Sequence, residues 1–283
     1  MKKGISVWAF AGKDPARNFA LAREAGFDGV ELALDEDGPV GLGSTKAEME
    51  ELRDLAAKSG IELYSLATGL YWKYSFTSGS AETRAKAAEV AKKQLDAASW
   101  LKCDAILLIP GMVAGFEPGG EVVPYDAAYD RALEAVSRLA PYAEERGVAI
   151  GVENVWNKFL LSPLEMRDFI DKAGSPFVKA YFDVGNALRD GYPEQWIRIL
   201  GNRIAKVHFK DYSRAVGTLE GFRDLLSGDV DYPEVMKALA DTGYDGWVTA
   251  EVFPYRRYPE ALIFGASMAM DRILGRGRVS YTG

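Results

Sequence analysis

Short apolar runs and longer amphipathic segments alternate eight times along this 283-residue chain, and few folds absorb such a pattern. The apolar runs predict strands over Ile5–Phe10, Gly29–Leu34, Glu62–Thr68, Ala105–Pro110, Ala149–Val155, Val178–Val184, Ile204–Lys210 and Trp247–Phe253. The helices expected between and after them cover about Asp14–Ala25, Thr45–Ser59, Ala81–Leu101, Tyr125–Arg146, Pro163–Ala173, Pro193–Leu200, Tyr232–Thr242 and Pro259–Leu274. Runs rich in Val, Ile and Leu suit strands buried on both faces, as an all-parallel sheet requires. Gly26, Gly60, Gly147, Gly174 and Gly243 fall where C-terminal caps belong, and Ser162-Pro163 reads as an N-cap with proline in the first turn. Gly26-Phe-Asp-Gly29 and Gly243-Tyr-Asp-Gly246 echo one another between helix and strand. Eight such units close a barrel more readily than they extend a doubly wound sheet. The expectation is one (β/α)8 TIM barrel domain, α/β in class, over residues 1–283.

Composition narrows the partners. With 48% hydrophobic residues the chain can build one large core. Acidic residues outnumber basic ones by 41 to 34, for a net charge of −7, and no Lys/Arg cluster stands out, which argues against nucleic acid. The N-terminal segment lacks the pattern of a signal peptide, and no stretch approaches the roughly 18 apolar residues of a membrane span. Cys103 is the single cysteine, so no internal disulfide can form. These features predict a soluble cytoplasmic protein with no membrane partner.

The second half carries the chemistry. Four consecutive predicted strands end in Glu153, Asp183, His208 and Glu251, and His208 is the only histidine of the chain. Barrel active sites lie at the carboxyl ends of strands, and strands five to eight are neighbours around the rim. Any one of these residues alone would suit a salt bridge or a satisfied core position; together they can converge. Three carboxylates and one imidazole make a hard, oxygen-rich donor set that suits Mn²⁺ or Mg²⁺ and admits Co²⁺ or Zn²⁺.

Val152-Glu-Asn-Val-Trp-Asn-Lys-Phe159, Phe182-Asp-Val-Gly-Asn186, Lys206-Val-His-Phe-Lys-Asp211, Gly228-Asp-Val-Asp231 and Ala250-Glu-Val252 carry a resemblance that runs over nearly the whole chain. The sequence resembles the xylose-isomerase-like barrel superfamily in its sugar and sugar-phosphate isomerase/epimerase branch. That branch includes ketose 3-epimerases, ribulose-phosphate 3-epimerases and hexulose-phosphate isomerases. The resemblance implies a Mn²⁺-type ion held by Glu153, Asp183, His208 and Glu251, with Glu153 and Glu251 doubling as acid/base groups. Proton removal beside a ketose carbonyl leaves an enediolate, whose charge a bound cation stabilises as a Lewis acid. Two carboxylates on opposite sides of the sugar then epimerise it; transfers between adjacent carbons on one face isomerise it instead. Dimers and tetramers are common in the resembling family.

Two positions depart from the free-sugar 3-epimerases that the chain resembles. Asn186 stands where they carry a histidine, and Phe159 or Leu160 where they carry a glutamate. Asn186 can bond a sugar hydroxyl but cannot shuttle a proton. Arg214 falls where relatives place an arginine on substrate oxygens, and a solvated loop position explains it equally. Lys210 either binds a phosphate or carboxylate or pairs with Asp183 or Glu251. Glu31, at the end of strand two, is a candidate for substrate hydroxyls. Trp8 and Phe10 on strand one, Trp72 and Trp156 offer apolar walls to sugar C–H faces. Cys103 reads as an inert buried thiol. The rim loops 69–79 and 111–121 read as an aromatic pocket or subunit interface and as a glycine-rich lid or ordinary loop, respectively.

Dinucleotide, phosphate-loop and Gly-x-Ser-x-Gly motifs are absent from the sequence. The leading reading is therefore a metal-dependent sugar or sugar-phosphate isomerase or epimerase. A dehydratase of an inosose-like ketone is the alternative. An endonuclease-type hydrolase needs more histidines than this chain has, and a non-catalytic binding barrel has no need of two acid/base carboxylates.

Overall fold

The computed structural model of the chain describes residues 1–276. The strands are β1 (Lys2–Ser6), β2 (Gly29–Leu34), β3 (Glu62–Thr68), β4 (Ala105–Leu108), β5 (Ala149–Glu153), β6 (Val178–Asp183), β7 (Ile204–Phe209), β8 (Asp211–Tyr212), β9 (Phe222–Arg223) and β10 (Trp247–Ala250). The helices are α1 (Pro15–Glu24), α2 (Lys46–Lys58), α3 (Ala81–Leu101), α4 (Tyr125–Arg146), α5 (Pro163–Lys172), α6 (Val184–Leu188), α7 (Pro193–Leu200), α8 (Tyr232–Asp241) and α9 (Pro259–Ile273). Eight strands, all parallel, close in the order β1-β10-β7-β6-β5-β4-β3-β2, while β8 and β9 form a small antiparallel ribbon. The glycines expected to cap helices, Gly26, Gly60, Gly147, Gly174 and Gly243, all have φ between 67° and 85°. No helix among the described residues is long and apolar enough to cross a membrane.

The strands differ from the apolar runs at their ends. β1 begins at Lys2, ahead of the run, because Lys3 is buried: its Nζ donates to Ser267 Oγ at 2.9 Å and pairs with Asp271 of α9 at 2.6 Å. Partners more than 260 residues away leave no local pattern. At the rim the runs outlast the strands. Val7–Ala9 forms a 3₁₀ turn after β1, stabilised by Ser6 Oγ accepting from the Trp8 N–H, so Trp8 sits on the turn and Phe10 beyond it. Likewise β4, β5, β7 and β10 stop at Leu108, Glu153, Phe209 and Ala250, where the chain peels outward into rim loops that stay apolar. Glu31 lies in the middle of β2 and not at its end. Neither α6, one short turn capped directly by Asp183, nor the β8–β9 ribbon has a sequence signal long enough to read.

The barrel interior is filled by aromatic rings that glycines admit. Tyr64 stacks on Trp247 with centroids 3.8 Å apart, and its hydroxyl shares a hydrogen bond with Thr249 Oγ1 at 2.7 Å. A Cβ on Gly4 would lie 2.0 Å from that hydroxyl oxygen. Similarly, a Cβ on Gly151 would lie 2.9 Å from the ring of Tyr181. Gly4→Ala is therefore expected to cost about 1–3 kcal/mol through overpacking, read as a lower urea midpoint. An unchanged midpoint would mean that the Tyr64 ring relocates freely, against its enclosed position.

Candidate metal and catalytic site

Parallel register places the ends of β5, β6 and β7 side by side: Asp183 is paired with His208, and Glu153 with Tyr181. Glu251 follows β10 directly, its backbone N–H donating to Phe209 O of the neighbouring strand at 3.1 Å. Glu153, Asp183, His208 and Glu251 are all buried, and each brings one donor atom to a place where all lie within 4.8 Å of one another.

Supports beneath the cluster fix these side chains. Asp183 Oδ1 accepts from the Asn186 N–H at 2.6 Å, so the N-cap bond of α6 holds one oxygen and leaves Oδ2 facing inward. Asn154 clasps the Asp183 backbone, accepting from its N–H and donating to its C=O, each at 2.8 Å. Asn186 Nδ2 donates to Asn154 O at 3.0 Å and reaches Glu153 Oε1 at 3.5 Å, while Trp156 Nε1 donates to Asn186 O at 3.0 Å.

His208 is set by a residue from the opposite side of the barrel. Its Nε2 lies 2.9 Å from Glu31 Oε1, and both side chains are fully buried. The other oxygen of Glu31 accepts from Ser65 Oγ at 3.1 Å and from the Tyr181 hydroxyl. Nε2 is thus turned to Glu31 and Nδ1 to the cluster; burial opposes a charge on the ring, but Glu31 and Glu251 outweigh it and raise the imidazole pKa well above its ordinary value. Nδ1 lies 3.3 Å from Glu251 Oε2 and 3.9 Å from Asp183 Oδ2. Both His208 Nδ1 and Asp183 Oδ2 are buried without a hydrogen-bond partner. Acceptors aimed at one another need positive charge among them, from a proton on Nδ1 or from a cation that takes its place. A divalent cation fits this donor set, three carboxylate oxygens and one imidazole nitrogen, and the carboxylate beneath the histidine is the support that metal-bound imidazoles use.

Lys210 brings a positive charge of the chain's own. Its Nζ lies 2.5 Å from Glu251 Oε2 and 3.4 Å from Asp183 Oδ2, beneath the Phe222 ring. Burial opposes its charge, but Asp183, Glu251 and Glu153 outweigh that and raise its pKa. The carboxylates separate in response. Burial, reinforced by Glu251 and Asp183, pushes Glu153 well above the usual carboxylate range. Burial likewise moves Asp183 up to about 6 against the pull of Lys210. In Glu251 burial is outweighed by Lys210 and His208, and the pKa falls.

A cavity of about 390 Å³ opens above the cluster, and Glu153, Glu251, Asn186, Lys210, Trp8, Trp72 and Trp156 all border it. Asp183 and His208 lie below its floor with no exposed surface. Three of the residues singled out in the sequence are placed elsewhere, and the first, Phe10, borders a neighbouring cavity instead of this one. Glu31 is the buried partner of His208, under the site. Arg214 turns its guanidinium to Leu188 O at 3.1 Å and Gly191 O at 2.8 Å, over the Tyr192 ring. Asn154 carries no sequence signal of its own beyond standing beside Glu153; its buried amide reaches the Asp183 backbone only through the fold.

The rim loops are tied to each other. Thr77 Oγ1 donates to Met112 O at 2.5 Å and accepts from Met112 N at 2.9 Å. Gly111 allows this approach, since it has φ 133° and a Cβ there would lie 2.2 Å from Thr77 Cγ2. At the tip of loop 111–121, Phe116 packs on Trp72 with centroids 5.0 Å apart. Cys103 is buried and its thiol pKa is pushed up by burial, which suits an inert group.

Residues 19–272 match the profile of the family described as xylose isomerase-like TIM barrel. Among characterised relatives, 2-epi-5-epi-valiolone 7-phosphate 2-epimerase of Actinoplanes sp. is 26% identical over 194 residues, 69% of this chain and 66% of that enzyme. Inosose dehydratase of Erwinia tasmaniensis is 27% identical over 154 residues, so the match spans 47% of this chain and 51% of that enzyme. In three dimensions, D-psicose 3-epimerase in the presence of D-fructose superposes with a TM-score of 0.80 at 20% identity, covering 98% of this chain and 100% of that one. The last likeness establishes the shared fold. Sugar epimerases, which are enzymes, thus stand among both the sequence relatives and the structural neighbours.

Proposed function

This chain belongs to the xylose isomerase-like TIM barrel family, and from that premise we propose that it is a divalent-metal-dependent epimerase or isomerase of a sugar or sugar phosphate. The observation that carries this reading is the position of Glu153 and Glu251, which border one cavity from barrel positions separated by β6 and β7. Glu153, Asp183, His208 and Glu251 would hold the ion, with Mn²⁺ or Mg²⁺ best suited to the donors. When bound, the ion would supply Lewis-acid stabilisation of negative charge on substrate oxygens.

The chain's own groups do the rest. Glu153 and Glu251 flank the sugar, so one can take a proton from carbon and the other return one on the opposite face. Lys210, fixed against Glu251, keeps positive charge at the cavity floor beside the developing anion. Asn186 offers a hydroxyl partner beside Glu153, while Trp8, Trp72 and Trp156 shape the walls and exclude water. The inosose dehydratase relatives favour a second reading, in which the same proton abstraction is followed by loss of a hydroxyl as water.

Incubating Mn²⁺-loaded protein with ketoses, ketose phosphates and inosose in D₂O, with NMR detection, tests both. Deuterium is expected at C1 or C3 of a ketose without loss of mass. Dehydrated product would move the assignment to the lyase, and no exchange across the panel with metal bound would overturn both readings.

A further inference from the structure

A second, larger cavity of about 500 Å³ lies beside the first, between the segments that follow β1 and β2. Val7, Phe10, Phe19, Leu34, Val40 and Leu70 form a largely apolar wall, with Lys13, Asn18, Asp35 and Asp37 also on its border. Trp8 and Gly69 border both cavities. Gly69 has φ −89°, a conformation open to any residue, and a Cβ there would meet no heavy atom within 4 Å. The backbone therefore does not demand glycine at this point. A side chain at this position would project into open space where the two cavities share a border.

Polar recognition is uneven in the same direction. Around the first cavity the groups able to bind hydroxyls are concentrated in Glu153, Asn186, Lys210 and Glu251, beside the donor cluster. Much of the remaining wall is aromatic or aliphatic, and Leu219 and Phe253 are 48% and 58% exposed at its mouth. A free sugar carries a hydroxyl on nearly every carbon, and burying one against such a wall without a partner costs about 1–3 kcal/mol. From this division, and resting on the epimerase reading above, we infer that the substrate is a sugar derivative bearing an apolar aryl or alkyl substituent. Its polyol part lies over the donor cluster, and the substituent passes Gly69 into the second cavity.

The test uses intact, Mn²⁺-loaded protein. Benzyl alcohol serves as the apolar probe and is titrated calorimetrically into the wild type and into Gly12→Phe and Val40→Trp, which report on the second cavity. Gly12 and Val40 both border that cavity, and a Cβ on Gly12 meets open space. Saturable binding is expected, weakened at least tenfold by either variant. No saturable binding, or binding indifferent to both variants, overturns the inference and leaves the epimerase reading intact. Deuterium exchange is then compared for a benzyl-substituted ketose and its unsubstituted parent. The substituted sugar should show a KM at least tenfold lower, an advantage abolished by Gly69→Phe. Equal KM values overturn the inference. Exchange from neither sugar, with benzyl alcohol still bound, overturns the epimerase reading and with it the sugar half of the inference.

Discussion

Replacing either Glu153 or Glu251 by Gln is expected to lower turnover by roughly 10²–10⁴-fold, the range that a positioned proton-transfer group contributes. Glutamine keeps the shape of the side chain and one oxygen, so the loss falls on proton transfer more than on packing. Glu153 already lies where burial disfavours its charge, so a neutral amide there introduces no unpaired charge. Glu251 differs, because its carboxylate faces the Lys210 ammonium and His208. The Glu251→Gln variant should therefore lose some thermal stability that Glu153→Gln retains. Deuterium exchange rates, measured beside bound Mn²⁺ by elemental analysis, separate the two roles of each residue. A Gln variant with the wild-type rate at wild-type metal content would remove that glutamate from proton transfer. Full rate restored by excess Mn²⁺ would reduce it to a ligand alone.

The parts of this molecule that were legible in the sequence are those where local pattern and fold geometry coincide. Eight apolar runs imply eight strands, and the parallel barrel puts their carboxyl ends on one rim, so the sequence alone groups Glu153, Asp183, His208 and Glu251, and their donor atoms do converge. What stayed hidden depends on contacts across the barrel. Glu31 reads in sequence as a rim residue of β2, yet the stagger of the strands sets its carboxylate under the imidazole of His208, 177 positions away. Lys3 lies ahead of the first apolar run, yet its ammonium is held by Ser267 and Asp271 of α9. Arg214 occupies a site-like spacing after His208, but its guanidinium turns to the Leu188 carbonyl at the end of α6 and the Gly191 carbonyl in the α6–α7 connection. The aromatic turns after β1, β5 and β10 look like strand in a hydropathy pattern because a cavity wall, like a core, favours apolar side chains. Alternation alone does not tell the two apart.

Glu31 is the residue whose removal should reach furthest from its own position. It accepts hydrogen bonds from Ser65, Tyr181 and His208 in a part of the barrel with no exposed surface. In Glu31→Leu those donors lose their acceptor together, and the loss is expected to approach the ~3–5 kcal/mol of a broken buried pair. A urea titration of the metal-free variant reads that cost directly. Glu31→Gln is the milder and more informative change. Its amide can accept from Nε2–H through oxygen, or, turned over, donate to Nε2 and force the hydrogen onto Nδ1, where it would block the lone pair aimed at Glu251 and Asp183. Loss of a carboxylate behind a metal-bound histidine typically lowers affinity about 10–100-fold, and that range is expected for Mn²⁺ here. Mn²⁺ titration followed by electron paramagnetic resonance gives the affinity without any turnover. An affinity equal to wild type in folded Glu31→Gln would show that His208 holds its tautomer without Glu31. The buried carboxylate would then serve the packing of Tyr181 and Ser65 alone.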